Sequence, residues 1–361
     1  MGSLRELATD LSTEGMCSLV AKLSSSISRV WERRLREGFV GSRVRAVGRA
    51  RRATHTPKLR AVITPGRTTI EFPHNINVAA STVSNPALTV SGSIATLYLR
   101  VSTIGSRFGG TLIAVAELGL DELAGVVGVR SRVLLPPLLP GESVEDPRID
   151  LSSREALYHV RVFRLRGLEL TTTFLGRLKG GGVLLQPVVF TDGEGDFILS
   201  DYRDTFPLNR GFMVVRPYFS DLGSGGVFVG PREGNLIYIH GLKPIPQLMP
   251  GRGEVKTGGN CVVPIGNHEY LLIYHAVDSF GIYRCYPAIL DDSANLVALS
   301  REPILVPNPE LYSGRRPGTV FPCGAAVHGG SLLIASGLND EVVAIYESPL
   351  NEVLSAMRAT T

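Results

Sequence analysis

The chain has 361 residues, 44% of them hydrophobic and 19% charged, with a formal net charge of +4. That is one large domain or two ordinary ones, and the balance excludes a disordered chain. No apolar run approaches the roughly 18–20 residues of a membrane helix, and the N-terminus shows no apolar block before a small-residue cleavage site. Neither a membrane partner nor a signal peptide is expected. Cys17, Cys261, Cys285 and Cys323 lack CxxC spacing, which argues against a metal site and a disulfide framework and makes a reducing cytoplasm the expected compartment.

The charge is uneven. Residues 1–60 carry 13 Lys and Arg against 5 Asp and Glu, the remainder 24 against 28. Residues 4–36 read as helix, because Leu4, Leu7, Leu11, Leu19, Leu23, Ile27, Val30 and Trp31 recur at spacings of mostly three and four. A break is expected near Ser12–Gly15. The arginine-rich SRVRAVGRARRATHTPK that follows has no interleaved aromatic residues, as a single-strand binder would need. It reads as a linker rather than a nucleic-acid arm. The helices are expected to pack on the main domain or on another subunit of a homo-oligomer. The division is therefore a basic helical extension over 1–60 and a second domain over 61–361.

From about residue 60 short β-rich runs alternate with Gly, Pro, Asn and Asp: TLYLRVS, GTLIAVAEL, ALYHVRVFRL, FMVVRPYF, EYLLIYHAV, IYRCYPAIL, SLLIASGL and EVVAIYES among them. A strand–turn–strand unit recurs every 45–60 residues or so, the signature of a propeller of small antiparallel sheets. The expected fold is all-β, a five-bladed β-propeller over about residues 70–350 with an N-terminal α-helical extension. A sandwich or split barrel is the alternative. A propeller assembles its site from one or two residues per blade, so no compact motif is expected.

In GESVEDPRI two carboxylates precede a proline. Pro147 is expected to force Asp146 towards extended geometry, and Arg148 to share its side of a strand. Glu145 supplies a second carboxylate or pairs with Arg148. Either a charged turn or a catalytic acid fits these residues. In residues 254–292, Lys256 precedes Gly258-Gly259, which let a backbone approach a ligand. His275 ends the next strand and Tyr283-Arg284 follow. These could line an anion pocket; equally, His275 could cap a strand and Arg284 pair with Asp278 or Asp291. Arg203 ends the stretch from Phe197, Asp340 lies in a turn, and SNPALTV and TLYLRVS contribute Asn85 and Arg100.

Taken together, GESVEDPRI, NPAL followed by LYLR, KTGGN followed by VPI, YLLIYHAV and YRCYPAILD, and TVFPCGAAV followed by IASGLND resemble glycoside hydrolase family 130, the inverting β-mannoside phosphorylases and their relatives. The resemblance runs from about residue 75 to 355 and marks a divergent member. It implies a five-bladed propeller, with Asp146 as proton donor to the glycosidic oxygen. It also implies that Arg203, Lys256, His275 and Tyr283 hold phosphate, with Lys179 displaced by one position from a further phosphate contact. Asn85, Arg100 and Asp340 would line the glycone pocket. The implied reaction cleaves a β-mannoside or related β-glycoside with inorganic phosphate as co-substrate, gives a sugar 1-phosphate, and needs no cofactor. Phosphate replaces the activated water, so no second catalytic carboxylate is required, whereas an inverting hydrolase needs a base ~6.5–9.5 Å from the acid. The alternatives are such a hydrolase on the same scaffold, or a non-catalytic propeller that binds glycans or protein.

Overall fold

The computed structural model describes residues 13–103, 110–153, 156–165, 168–179, 182–266, 268–309 and 313–358. It opens with two helices, α1 (Thr13–Ser25) and α2 (Arg29–Ser42). Met16, Leu19, Val20 and Leu23 of α1 and Leu35 and Phe39 of α2 are buried in the chain's own core. Of the break expected at Ser12–Gly15, Thr13, Glu14 and Gly15 lie inside α1 and Ser12 lies outside the described residues; the two described helices are divided at Ser26–Ser28. The serines explain it. Ser24 and Ser26 turn their hydroxyls back onto the carbonyls of Val20 and Lys22, and Ser28 accepts from the Trp31 amide as the cap of α2.

The basic segment after α2 is stitched onto the body of the protein. The Arg49 side chain is fully buried. It donates to the Tyr274 hydroxyl at 2.9 Å and to the carbonyls of Gln247 and Met249, and pairs with Glu254 at 2.5 Å. Its guanidinium lies over the rings of Tyr274 and Tyr286. The Ala50 amide donates to the Arg301 carbonyl, and the Tyr286 hydroxyl to the Ala50 carbonyl.

The strands fall into five consecutive groups. The first is β1 (Lys58–Phe72), β2 (Ile76–Ser91), β3 (Ile94–Thr103), β4 (Leu112–Gly119) and β5 (Gly125–Leu135). The second is β6 (Ser143–Ile149), β7 (Ala156–Leu165), β8 (Leu168–Lys179) and β9 (Gly182–Pro187). The third is built of short pieces: β10 (Val189–Thr191), β11 (Asp196–Phe197), β12 (Arg203–Pro207), β13 (Phe212–Arg216), β14 (Tyr218–Phe219), β15 (Ser224–Gly225), β16 (Phe228–Glu233), β17 (Leu236–Tyr238) and β18 (Lys243–Pro244). The fourth is β19 (Glu254–Gly266), β20 (Glu269–Asp278), β21 (Tyr283–Asp291) and β22 (Leu296–Leu299). The fifth is β23 (Val320–His328), β24 (Ser331–Leu338) and β25 (Val342–Pro349). A helix that the sequence reading does not anticipate, α3 (Leu350–Arg358), follows and buries Val353 and Met357.

The second and fourth groups are antiparallel four-stranded sheets in simple sequence order. The first and fifth merge into one eight-stranded sheet, because β1 pairs antiparallel with β25 and parallel with β5. The chain is therefore all-β with helices at its two ends. β20 carries a nearly unbroken run of buried residues, Leu271 to Asp278, as a strand covered on both faces does. The leading strands pack in a closed cycle: β2 on β6, β6 on β12, β12 on β19, β19 on β23, and β23 on β2. That cycle surrounds the site.

Candidate active site

Each of these five leading strands, the innermost of its group, carries a register shift at a similar place. The shifts fall between Ser84 and Ala87, Glu145 and Arg148, Arg203 and Phe206, Gly259 and Cys261, and Pro322 and Gly324. A bulge adds a residue, bends the strand and re-aims a side chain. Three of the bulged residues are left-handed: Asn85 (φ 45°), Asp146 (φ 51°) and Asp204 (φ 50°). Asn and Asp tolerate that region better than other side chains, which is why these types stand there. The expectation of an extended Asp146 is thus corrected. The following proline disfavours right-handed helical geometry, and the bulge selects the left-handed well.

The bulge also changes the partners foreseen for Asp146 and Glu145. Arg148 turns away. Its Nη1 donates only to the Asp146 carbonyl, while Nη2 reaches Asp204 Oδ1 at 2.8 Å and Nε the Asn260 carbonyl at 2.6 Å. Asp146 Oδ1 instead accepts from Asn85 Nδ2 at 2.8 Å and from Arg100 Nη1 at 3.2 Å. Asn85 Nδ2 also reaches Asp340 Oδ1 at 3.4 Å. Asn85, Arg100, Asp146 and Asp340, brought from four separate stretches, therefore meet. Glu145 pairs with Arg100 at 3.0 Å and with Arg203 at 3.3 Å.

The two adjacent carboxylates are driven apart electrostatically. Burial and the neighbouring Glu145 charge raise the Asp146 pKa despite Arg100, whereas Glu145, though buried, is held down by Arg100 and Arg203. One carboxyl is biased to keep its proton and the other to lose it, the arrangement that marks an acid beside a permanent anion.

Asp146 opens onto a cavity of about 270 Å³. Four cations line it, Arg203, Arg216, Lys256 and Arg316, against three carboxylates, Asp146, Asp201 and Asp204; His275, Tyr283, Tyr218 and Phe321 complete the wall. Asp204 is clamped between Arg148 and Arg216, which hold its carboxyl far below the usual range although it is buried. Lys256 Nζ lies 5.4 Å and Arg316 Cζ 4.9 Å from the Tyr283 ring centre. Burial, with Arg216 and Arg316 nearby, brings the Lys256 ammonium down to about 7. His275 faces the Asn260 side chain at 3.0 Å and packs between Tyr283 and Phe321; burial drives its pKa well down, so the imidazole is neutral. Arg203, Lys256, His275 and Tyr283 thus share one cavity.

One other expectation changes. Gly258 and Gly259 make room for protein, not for a ligand: a Cβ on Gly258 would lie 2.6 Å from Arg216 Cδ and 2.7 Å from both Asp204 and His275, and one on Gly259 2.7 Å from Val214. Lys179 ends β8, its backbone opposite Gly182; its side chain, expected as a displaced phosphate contact, lies outside the described residues. Arg284 pairs with Asp278 at 2.8 Å, one of the two partners foreseen.

The sequence reading missed Arg216, Asp204, Arg316 and Tyr218. Arg216 stands opposite Arg203 in the β12–β13 ladder. A signal for Asp204 was present: SNP, EDP, RDT and GNC place Asn or Asp at the same point of four leading strands.

A family model described as beta-1,4-mannooligosaccharide phosphorylase, glycoside hydrolase family 130, matches residues 238–359. These residues hold Lys256, His275, Tyr283, Arg316, Phe321 and Asp340 of the site just described. A 1,2-beta-oligomannan phosphorylase of Thermoanaerobacter sp. (strain X514) is 36% identical over 109 residues, which is 28% of this chain and 36% of that protein. A beta-1,2-mannobiose phosphorylase of the same organism is 41% identical over 76 residues, 20% and 25% of the two chains. The match thus spans about a third or less of these relatives. Among solved structures, a beta-1,2-mannobiose phosphorylase from Listeria innocua superposes with a TM-score of 0.60 at 15% identity, covering 78% of this chain and 93% of that one. At that identity the likeness speaks for the fold across residues that the family model does not reach.

Proposed function

We propose that the protein is an inverting glycoside phosphorylase on a five-bladed β-propeller. In this reading it cleaves a β-mannoside, or a related β-glycoside, with inorganic phosphate. The five strand groups are the blades, the cycle of leading strands lines the channel, and β1 closes the ring by pairing with β25. Residues 61–361 form the catalytic domain and residues 1–60 an extension bound to it. The observation that carries the reading is the cavity that joins Asp146 to Arg203, Lys256, His275 and Tyr283. It has one carboxyl biased towards its acid form and an excess of cations beside it.

The glycone would rest against Asn85, Arg100 and Asp340. Phosphate would be held by Arg203 and Lys256, with Arg216 and Arg316 adding charge and the Tyr283 hydroxyl donating. A phosphate oxygen attacks the anomeric carbon from the face opposite the leaving group. The bond from that carbon to the glycosidic oxygen breaks as Asp146 gives its proton to that oxygen, directly or through a sugar hydroxyl. The products are an α-configured sugar 1-phosphate and a shortened glycan. No base is needed. The other carboxylates on the cavity, Asp201 and Asp204, are each paired with arginine, which suits them to anchor cations rather than to activate water.

The same reading makes phosphate a co-substrate and dispenses with a cofactor. Three buried free cysteines and one exposed suit a reducing cytoplasm. Among the described residues no helix is long and apolar enough to cross a membrane. No nucleic-acid partner is proposed; Arg49 of the basic segment is spent inside the protein. Val30, Val40 and Val44 remain exposed at the N-terminal helices and offer a surface for a homo-oligomer.

The test is to incubate the protein with β-1,2- and β-1,4-linked manno-oligosaccharides, with and without phosphate, and to assay sugar 1-phosphate against free sugar. Phosphate-dependent sugar 1-phosphate is expected. Free sugar at a rate indifferent to phosphate would overturn the phosphorylase reading in favour of a hydrolase.

A further inference from the structure

Asn260 occupies the bulge of β19, between Gly259 and Cys261, and is fully buried. Its carbonyl accepts from Arg148 Nε at 2.6 Å, which fixes the backbone, and its amide oxygen lies 3.0 Å from His275 Nδ1. The imidazole has little freedom of its own. It crosses the face of Gly258, where even a Cβ would come within 2.7 Å of its Cε1. The rings of Tyr283 and Phe321 hold it at centroid distances of 5.3 and 5.2 Å. The proposed reaction gives Asn260 no task.

The contact between these two side chains sets where the ring carries its hydrogen. An amide oxygen only accepts, so Nδ1 donates to it. Burial, reinforced by Lys256, Arg216 and Arg148, keeps the imidazole neutral, and a neutral imidazole has a single N–H. Nε2 is therefore a bare lone pair. His275 lines the cavity of Arg203, Lys256, Arg216 and Arg316, and with Nδ1 turned onto Asn260 the nitrogen left for that cavity is Nε2. No described residue donates to it. The surplus of cations favours the same tautomer, because the lone pair is the negative end of the ring. Asn260 Nδ2 is buried without a partner. A half-turn of the amide would put Nδ2 on Nδ1 and the ring hydrogen on Nε2, against that electrostatic preference, and the two tautomers are distinguishable by experiment.

A lone pair in an anion pocket needs a ligand that brings its own hydrogen. The phosphate dianion keeps one P–OH; sulfate, of similar shape and equal charge, keeps none at neutral pH. We propose that His275, held by Asn260 with its hydrogen on Nδ1, accepts the hydrogen of that P–OH and so selects hydrogen phosphate over sulfate. The step rests on the phosphorylase reading of the cavity. The protonated oxygen is thereby turned to His275, which leaves an unprotonated one for the anomeric carbon.

Calorimetric titration of the full chain with phosphate, arsenate and sulfate at mildly alkaline pH tests this. Wild type should bind phosphate and arsenate about 10- to 100-fold more tightly than sulfate, the effect of one hydrogen bond to a charged ligand. In protein carrying isotope-labelled histidine, the His275 nitrogen resonances, identified by their loss in His275→Gln, should show hydrogen on Nδ1 and none on Nε2. Asn260→Asp sets a carboxylate against Nδ1 and draws the ring to imidazolium, which makes Nε2 a donor. Sulfate should then bind within about threefold of phosphate. Where that variant does not fold, the wild-type titration and resonances decide. Sulfate bound by wild type as tightly as phosphate, hydrogen on Nε2 in the anion-free protein, or undiminished selectivity in folded Asn260→Asp overturns the proposal and leaves the phosphorylase reading standing. Failure of wild type to bind any of the three anions overturns the phosphate reading of the cavity, and this selectivity with it.

Discussion

Lys256 is placed to couple phosphate binding to proton uptake. Its ammonium is buried beside Arg216 and Arg316, which together bring it from the usual 10.5 to about 7; Asp204 opposes this and loses. The folded protein therefore holds this proton less tightly than the unfolded chain, and stability linked to Lys256 is lost as the pH falls from about 10 to about 7. A phosphate dianion in the pocket reverses the balance and returns the ammonium to its charged form. At pH 8 the empty pocket has Lys256 about one-tenth protonated, so binding the dianion should draw about 0.9 proton to Lys256; at pH 6 that uptake falls to about 0.1, while phosphate, by then mostly the monoanion, releases a proton of its own on binding as the dianion. Titrating phosphate by calorimetry in two buffers of different ionisation enthalpy, and subtracting the proton that free phosphate gives up, measures the Lys256 uptake. The Lys256→Met variant should bind phosphate more weakly and lose the pH-dependent uptake. An uptake below about 0.2 at pH 8, or one unchanged in the methionine variant, would refute the assignment.

Asp146→Asn should keep the fold, because asparagine tolerates the left-handed backbone, and should lower kcat/KM by roughly 10²–10⁴-fold. Turnover at the wild-type rate would remove Asp146 as the acid. Asp204→Ala strands the guanidiniums of Arg148 and Arg216 and should cost about 3–5 kcal/mol in urea unfolding; a loss under about 1 kcal/mol would show that water or other groups already compensate them. Arg49→Met removes the buried anchor of the basic segment and should expose residues 43–57 to proteolysis, read by limited digestion and mass spectrometry. Digestion no faster than that of wild type would mean that the backbone bonds of Ala50 alone hold the strap.

The outer strands were legible because nothing interrupts their pattern: TLYLRVS, EYLLIYHAV and SLLIASGL are runs of β-formers and appear as β3, β20 and β24. The leading strands were harder to read. β2, β12 and β19 carry Asn-Pro, Asp-Thr and Gly-Gly-Asn where a strand pattern would want alternation, because each must bulge to aim a polar side chain inward. The features that hide these strands are thus the ones that build the site. Asp146, Lys256 and His275 stood out as candidates from their own surroundings, and the resemblance gave them, with Arg203, their roles; their partners were not foreseen. That Arg100 rather than Arg148 would meet Asp146 depends on a left-handed backbone one residue before a proline, which no spacing rule conveys. Arg316 comes from a stretch with no regular structure, and only folding brings it over Tyr283.

The pairing of β1 with β25 also has a consequence for synthesis. Ile63 finds its partner Val343 only after some 280 residues have followed it. At roughly 5–20 residues per second a ribosome takes about 15–60 s to deliver them. The parallel neighbour β5 arrives early, so one flank of β1 is covered while the other waits as an open edge on a nascent chain. Lys58 and Arg60 punctuate that edge with charge, the means by which unpaired strands avoid pairing with the wrong neighbour. The first strand of the protein is thus among the last to be completed, and a chain truncated before residue 342 would leave that edge permanently open.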